Sequence, residues 1–90
     1  MRLAKLMFRV NITSRAEREL KRLDRPVKNR IASAISTLAS DPRPPGCLKV
    51  RSEEGVWRIR VGDWRVGYQV DDSVGEILVV KIAHRSEFYE

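Results

Sequence analysis

A proline-rich connector at residues 41–46 divides this chain into two parts with different hydrophobic periods. Its sequence, DPRPPG, cannot continue a helix, because each proline lacks an N–H donor and disfavours helical geometry in the residue before it. Apolar residues recur at helical spacing before the connector and alternate after it. With 90 residues, the chain is long enough for one core and too short for two. The pattern therefore predicts a single α+β domain spanning residues 1–90.

The part before the connector predicts one strand and two helices. Residues 5–12 alternate loosely, which indicates the strand. Ser14 followed by Glu17 is a capping-box pattern that starts the first helix. Pro26 suits the first turn of a second helix. Because each helix carries one apolar stripe, we expect a helical hairpin that packs on the rest of the chain.

The part after the connector predicts four strands. Apolar residues alternate over residues 47–50, 56–61, 64–70 and 76–84. Short turns bearing glycine and aspartate separate these segments, which is typical of an antiparallel meander. The expected architecture is an N-terminal strand and a two-helix hairpin packed on a twisted antiparallel sheet of about four strands.

The composition excludes several classes of site. One cysteine, Cys47, cannot form an internal disulfide, and one histidine, His84, leaves too few soft ligands for a zinc or iron centre. We therefore expect no metal and no cofactor. The opening segment MRLAKLMFRV is too short and too interrupted by charge for a signal peptide or a membrane span. A cytoplasmic protein is the expectation.

The charge balance predicts an anionic partner. Lysine and arginine number 18 against 12 acids, which gives a net charge of +6, and 13 of these bases are arginine. Arginine offers a planar fork of donors that matches phosphate oxygens, so nucleic acid is the first expectation and an acidic protein the second. The helical part carries most of the surplus, either as a docking surface or as an ordinary solvated face. Its candidate residues are Arg15, Arg18, Lys21, Arg22, Lys28 and Arg30.

Three arginines of the predicted strands are expected to converge on one sheet face. Strand alternation puts Arg58 and Arg60 opposite the apolar residues of their strand, roughly 7 Å apart. A tight turn at Gly62 and Asp63 then brings Arg65 beside Arg60. One interpretation is the solvated outer face of a half-buried sheet. Because like charges on neighbouring strands repel, we favour an anion-binding site.

His84 and Tyr89, near the C-terminus, are the candidates for proton transfer. The His84 imidazole exchanges a proton near neutral pH, which arginine does not. A structural, hydrogen-bonded histidine is the alternative. Tyr89 would seal the sheet edge by packing, stack on a base or handle a proton.

Four segments together resemble the RelE/ParE superfamily of bacterial and archaeal toxins from toxin–antitoxin systems. In chain order they are AERELKRL, DPRPPG, WRIRVGDWRVGYQV and HRSEFY. The resemblance implies a helical hairpin on a twisted antiparallel sheet. It also implies one of two activities. The RelE-like branch cleaves messenger RNA in the ribosomal A site without metal, whereas the ParE-like branch poisons DNA gyrase and cleaves nothing.

We favour the RelE-like branch, in which the nucleotide's own 2′-hydroxyl would attack the adjacent phosphate. Well-studied RelE proteins have lysines where this chain has Arg58 and Arg60, and their closing segment is longer and more basic. With His84 as an added candidate, the functional positions that the resemblance implies are Arg58, Arg60, Arg65, Arg85 and Tyr89.

The resemblance also implies partners. The ribosome would present the message and bind the basic helices. A small, acidic, RelB-like antitoxin would cover the arginine face. Two alternatives stay open: a ParE-like gyrase inhibitor without catalytic residues, and an inactive basic RNA-binding relic. Arg58, Arg60 and Tyr89 favour the nuclease, because the gyrase inhibitor does not require them.

Overall fold

The computed structural model describes residues 7–89, in which there are two helices and five strands. In chain order they are β1 (Arg9–Ile12), α1 (Ser14–Lys21), α2 (Arg25–Leu38), β2 (Leu48–Lys49), β3 (Trp57–Val61), β4 (Trp64–Asp71) and β5 (Glu76–His84). This order confirms the predicted α+β class, with helices before the connector and the meander after it. Neither helix of the described residues is long and apolar enough to cross a membrane.

The strands form one sheet in the order β1-β5-β4-β3-β2. Strands β2 to β5 pair as the predicted antiparallel meander, and β1 adds a fifth strand that runs parallel to β5. The expected sheet of about four strands thus gains a parallel edge. The reason is topological, because the helices carry the chain from the β1 edge to the β2 edge and the meander then returns to β1.

The strand and helix boundaries differ from the predicted ones by a few residues. The first strand was predicted from residue 5, but pairing runs from Arg9 to Ile12, and Lys5 lies outside the described residues. The strand predicted over 47–50 is shorter in the structure. Its two paired residues are Leu48, opposite Arg58, and Lys49, opposite Trp57. At α2 the prediction is confirmed, since Pro26 lies in the first turn.

Helix α1 is capped by Thr13 and not, as the capping-box pattern predicted, by Ser14. Thr13 has extended backbone angles, and its N–H donates to the Val79 carbonyl at 2.9 Å, so it continues the pairing of β1 with β5. Its Oγ1 accepts the N–H of Ala16 at 3.1 Å. The sheet contact therefore decides which of the two hydroxyl residues is the cap.

The hydrophobic core lies between the helices and one face of the sheet. Its buried residues are Ala16, Ile31, Leu38, Ile59, Val66, Tyr68, Ile77, Val79 and Ile82. Trp57 and Trp64 are partly buried and pack against it, as strand alternation predicts. A smaller cluster on the opposite face contains Val50, Val56 and Phe88. The helices thus cover one sheet face and leave the other to the strand arginines.

The connector is held against β4 and the turn that follows it. The buried Tyr68 hydroxyl donates to the Pro42 carbonyl at 2.8 Å, and burial raises the pKa of this phenol, so it stays protonated. Arg43 donates two hydrogen bonds to the Asp72 carboxylate, at 3.1 and 2.8 Å, and its guanidinium lies over the Trp57 ring. These contacts give the connector a defined path past β3.

The contribution of the Arg43–Asp72 pair to the free energy of unfolding is expected to be lost in acid. Hydrogen bonding to Arg43 holds the pKa of Asp72 below its ordinary value of 3.8. Such a carboxyl stabilises the fold above its unfolded-state pKa, and the contribution is lost as pH falls through the folded-state pKa. We expect Arg43→Met to return the Asp72 pKa toward 3.8, measured from carboxyl chemical shifts. Arg9→Met, which removes the partner of Glu76, is the matched control. An Asp72 pKa that does not move in Arg43→Met would contradict the assignment.

Candidate functional site

Two neighbouring strands carry three arginines on the sheet face away from the helices. In the β3–β4 hairpin, Arg60 lies directly opposite Arg65, and Arg58 lies opposite Gly67. The tight turn between the strands uses Gly62 at a φ of +60°, a left-handed conformation that favours glycine. This register brings the three arginines together as strand alternation predicts.

Arg65 is held at the turn by backbone acceptors. It is 8% exposed, and its Nη1 donates to the carbonyl oxygens of Gly62 at 3.0 Å and Trp64 at 2.9 Å. Burial lowers the pKa of Arg65, and the positive charges of Arg60 and Arg58 lower it further. The guanidinium nevertheless stays protonated at neutral pH. A bound anion would offset this repulsion, which favours a phosphate site.

Arg58 connects β3 to two distant segments. It is 9% exposed, its Nη1 donates to the Gly46 carbonyl at 3.3 Å, and its Nε donates to the Tyr89 hydroxyl at 3.0 Å. Arg60 is exposed. Within residues 7–89, none of the three strand arginines forms an ion pair with a carboxylate. Because neutral dipoles are weaker acceptors than anions, a phosphate would bind these donors more strongly than their present partners do.

The chain after β5 folds back over the arginine face. The N–H of Phe88 donates to the His84 carbonyl at 3.0 Å, which closes a turn. Phe88 is buried, whereas Tyr89 is 56% exposed and reaches Arg58. Arg85 lies at the β3–β4 turn, where its Nε is 3.7 Å from Asp63 Oδ1. The C-terminal segment therefore supplies a phenol and a further cation to the surface around the strand arginines.

His84 lies apart from the arginine cluster. Its ring meets the Trp64 ring edge to face, with centroids 5.5 Å apart, and Trp64 packs against the helix-facing core. His84 Nδ1 accepts the backbone N–H of Ser86 at 3.2 Å and lies 2.9 Å from Ser86 Oγ. The proton of the neutral imidazole is then on Nε2. The two predicted candidates for proton transfer thus occupy opposite faces, and Tyr89 is the one in contact with an arginine.

Lys81, which was not among the predicted site residues, is a buried amine near the strand arginines. It pairs with Gly67 across β4 and β5 and is 7% exposed. Its Nζ donates to the Phe88 carbonyl oxygen and lies 5.0 Å from the centre of that ring. The signal in the sequence is a lysine inside the apolar strand EILVVKIAH, two residues before Ala83, which pairs with Arg65.

The six basic residues predicted on the helical surface differ in their partners. Arg15 pairs with Glu19 and Lys21 pairs with Glu17, each at 3.4 Å and one helical turn apart. Glu19 also accepts the Ile82 N–H at 2.9 Å, so it fastens α1 to β5. Within residues 7–89, the four that form no ion pair are Arg18, Arg22, Lys28 and Arg30.

Arg30 joins this helical surface to the arginine face. Its guanidinium lies against the β3–β4 turn, so close that a Cβ added to Gly62 would be 3.3 Å from Arg30 Nη1. Arg65 donates to the carbonyl of the same glycine. The basic residues of the helices and of the sheet therefore meet at this turn.

Possible metal ligands are scattered over the described part of the chain. Residues 7–89 contain no group of three or more histidine, cysteine, aspartate or glutamate side chains able to hold a metal ion. Cys47 is a free, half-buried thiol before β2. The polar groups that do cluster are arginines, a lysine and a tyrosine.

Residues 10–89 match the family model described as the ParE toxin of the type II toxin–antitoxin system parDE. The match includes both helices, the connector, the arginine face and the closing segment. The chain belongs to the RelE/ParE toxin family. The resemblance of the four sequence segments is thereby confirmed.

Relatives of this RelE/ParE toxin include Toxin RelE of Mycobacterium tuberculosis, which is 31% identical over 83 residues, or 91% of this chain and 86% of the relative. The archaeal RelE–RelB complex from Pyrococcus horikoshii has a similar fold, with a TM-score of 0.79, 24% identity, and coverage of 91% of this chain and 99% of that one. The RelBE2 complex from Mycobacterium tuberculosis is also similar, with a TM-score of 0.78, 23% identity, and coverage of 93% of this chain and 98% of that one. The matching family model and the 31% identical relative show that the protein is a toxin of a type II toxin–antitoxin system.

Proposed function

We propose that this toxin is a ribosome-dependent messenger-RNA endoribonuclease that needs no metal and inhibits translation. The observation that carries the proposal is the grouping of Arg58, Arg60 and Arg65 on the sheet face away from the helices, where the Tyr89 hydroxyl accepts a hydrogen bond from Arg58. A gyrase inhibitor has no need of this grouping. The 31% identity with Toxin RelE supports the same branch of the family.

The proposed reaction is a transesterification within the RNA. The 2′-hydroxyl oxygen attacks the adjacent phosphorus in line, so a P–O2′ bond forms and the P–O5′ bond breaks. The products are a 2′,3′-cyclic phosphate and a free 5′-hydroxyl. The proton of the 2′-hydroxyl passes to solvent water, and an acid of the protein gives one proton to the departing 5′-oxygen, so the protons balance.

The arginines are assigned to charge stabilisation. Donors that are fixed before the reaction stabilise the extra negative charge of the phosphorane without reorganising. Arg58 and Arg65 meet this condition, because carbonyl and phenol oxygens already hold their guanidinium groups. Arg60 is exposed and can turn toward the phosphate, and Arg85 adds positive charge at the β3–β4 turn.

Tyr89 is assigned to proton transfer to the 5′-oxygen. Its oxygen accepts the Arg58 N–H, which leaves its own O–H for donation to the substrate. The same guanidinium would stabilise the phenolate that remains. The His84 ring lies against Trp64 on the helix-facing side and is bonded to Ser86, so we leave it outside the reacting groups.

In this proposal the ribosome supplies the message and the specificity. Of the arginine face, Arg60, Arg85 and Tyr89 are exposed, whereas Arg58 and Arg65 are largely buried. The basic helix residues Arg15, Arg18, Lys21, Arg22, Lys28 and Arg30 would dock on ribosomal RNA. A ribosomal target places the activity in the cytoplasm. We also propose a small, acidic, RelB-like antitoxin, since the solved relatives include RelE–RelB complexes.

Primer extension on a defined message carried by ribosomes tests the nuclease proposal. We expect new 5′ ends at A-site codons when toxin and ribosomes are both present, with or without a chelator. The Arg60→Ala/Arg65→Ala variant is expected to produce none. A message that stays intact with folded wild-type toxin would contradict the proposal.

ParE-like inhibition of DNA gyrase is the second candidate, because the matching family model is that of a ParE toxin. A supercoiling assay with purified gyrase distinguishes the two. Inhibited supercoiling with an intact message supports the ParE-like activity. If the folded protein affects neither gyrase nor message, the alternative of an inactive RNA-binding relic is favoured.

Binding to ribosomes is expected to weaken steeply with salt. Each phosphate contact contributes about −0.7 to −0.9 to the slope of log K against log salt concentration. Replacing two exposed charges in Arg18→Gln/Arg22→Gln is therefore expected to flatten the slope by about 1 to 2. Arg9→Gln, which removes a charge on β1, is the matched control. An unchanged slope in the double variant would contradict docking through the helices.

A further inference from the structure

Tyr89 is an exposed residue at the end of the chain, yet its hydroxyl has a defined position. The ring is held by the hydrogen bond from Arg58 Nε at 3.0 Å and by an edge-to-face contact with Phe88, whose centroid is 5.0 Å away. Phe88 is 3% exposed. An exposed side chain has many accessible rotamers, so the position of Tyr89 depends on where its buried neighbour sits.

Phe88 sits directly on Gly67. A Cβ added to Gly67 would lie 3.0 Å from Cζ and 3.3 Å from Cε1 of the Phe88 ring, closer than carbon atoms normally approach. Gly67 does not have a positive φ, so the backbone does not require glycine there. The missing side chain instead makes room for the phenylalanine ring.

Lys81 holds the same ring from the next strand. It is the cross-strand partner of Gly67, its Nζ lies 5.0 Å from the centroid of Phe88, and it donates to the Phe88 carbonyl. The pairing of β4 with β5 shifts after Gly67, which leaves Val80 without a partner in the register. Val80 and Ala83 also pack against the Phe88 cluster. Gly67 and Lys81 thus form the centre of a socket, here called the Phe88 socket.

We infer that the Phe88 socket positions the Tyr89 hydroxyl on Arg58, and that proton transfer to the leaving oxygen depends on it. Gly67, Lys81 and Phe88 do not contact the RNA phosphate in this role, so they are positioning residues. The inference rests on the proposed nuclease function. It adds to that function a reason why an exposed C-terminal tyrosine is ready to react before substrate arrives.

The Gly67→Ala variant tests the inference, because it adds one methyl group against the Phe88 ring and does not alter the residues Tyr89 and Arg58 themselves. The first measurement is solvent exchange of the Arg58 Nε–H by NMR, which reports the bond to Tyr89 without any substrate. We expect exchange to accelerate in Gly67→Ala toward the rate in Tyr89→Phe, in which the acceptor is removed. Phe88→Leu removes the edge-to-face contact with Tyr89 without adding a clash. This variant is expected to give the same result and serves if Gly67→Ala does not fold.

The second measurement is single-turnover cleavage on saturating ribosomes. We expect Gly67→Ala to lower the rate, with unchanged ribosome affinity, by less than the roughly 10²-fold that a misplacement of about 1 Å costs, because Phe88 has to move by only a few tenths of an ångström. In the Tyr89→Phe background the same substitution is expected to have no further effect. The pair Gly67→Ala/Phe88→Leu is expected to lose no more than Phe88→Leu alone, because the smaller side chain makes room for the methyl group but no longer holds the Tyr89 ring.

The two measurements separate failure of the inference from failure of the proposed function. Slow Arg58 Nε–H exchange in folded Gly67→Ala, or an equal rate loss with and without Tyr89→Phe, would overturn the inference. If wild-type protein does not cleave, the nuclease function fails. The exchange measurement then decides whether the socket holds Tyr89 on Arg58.

Discussion

Alanine at position 65 is expected to lower the single-turnover rate of message cleavage by about 10² to 10³-fold, the usual cost of one donor that stabilises developing charge. Arg65 is held in place before the reaction, because two carbonyl oxygens accept from its Nη1. The rate is measured with saturating ribosomes, so that weaker binding does not enter. Arg9→Ala, which removes an exposed arginine on β1, is the matched control and is expected to cleave at the wild-type rate.

Lysine at position 65 separates the effect of charge from that of geometry. Lysine keeps the positive charge but loses the planar fork of donors, so we expect Arg65→Lys to recover part of the rate. Because Arg65→Ala also leaves the Gly62 and Trp64 carbonyls without their side-chain donor, the unfolding midpoint of each variant is measured in parallel. A folded Arg65→Ala protein that cleaves at the wild-type rate would remove Arg65 from the site.

Replacing Ile31 by alanine is expected to destabilise the fold by about 2 to 5 kcal/mol. Ile31 lies on α2 with 0% exposure and belongs to the core between the helices and the sheet. The substitution removes buried methylene and methyl groups and leaves a cavity that close-packed neighbours fill only in part. In a domain of this size, each kcal/mol lowers the thermal midpoint by about 4 to 8 °C.

Ile35→Ala is the matched control for this stability measurement. Ile35 is on the same helix but half-buried at the edge of the core, so the same substitution is expected to cost less. Urea unfolding followed by circular dichroism gives both free energies. Equal losses at the two positions would show that α2 does not pack on the sheet as described.

The periodicity of the sequence was sufficient to predict the elements that carry the site. The connector 41–46 separates helical from alternating spacing, and the structure follows this division. Alternation within β3 and β4 puts Arg58, Arg60 and Arg65 on the face away from the apolar residues, and a two-residue turn sets their register. These features depend on residues close in sequence, and local spacing encodes such contacts directly.

The closing segment shows where local patterns were insufficient. The spacing of residues does not reveal that Phe88 folds back onto Gly67 or that the Tyr89 hydroxyl reaches Arg58, 31 positions earlier. His84 and Tyr89 are close in sequence, yet the turn after β5 puts them on opposite faces of the sheet. The spacing of residues therefore had no means to choose between these two candidates for proton transfer.

The sequence by itself determined the order of helices and strands, the two faces of the hairpin and the surplus of arginine, because each follows from hydrophobic period, turn residues and composition. The tertiary structure alone decided the parallel pairing of β1 with β5, the choice of Thr13 as helix cap and the burial of Lys81 beside Phe88. All three depend on contacts between segments far apart in the chain. Such contacts form where packing and hydrogen bonding are best satisfied in the whole fold, so a local pattern does not specify them.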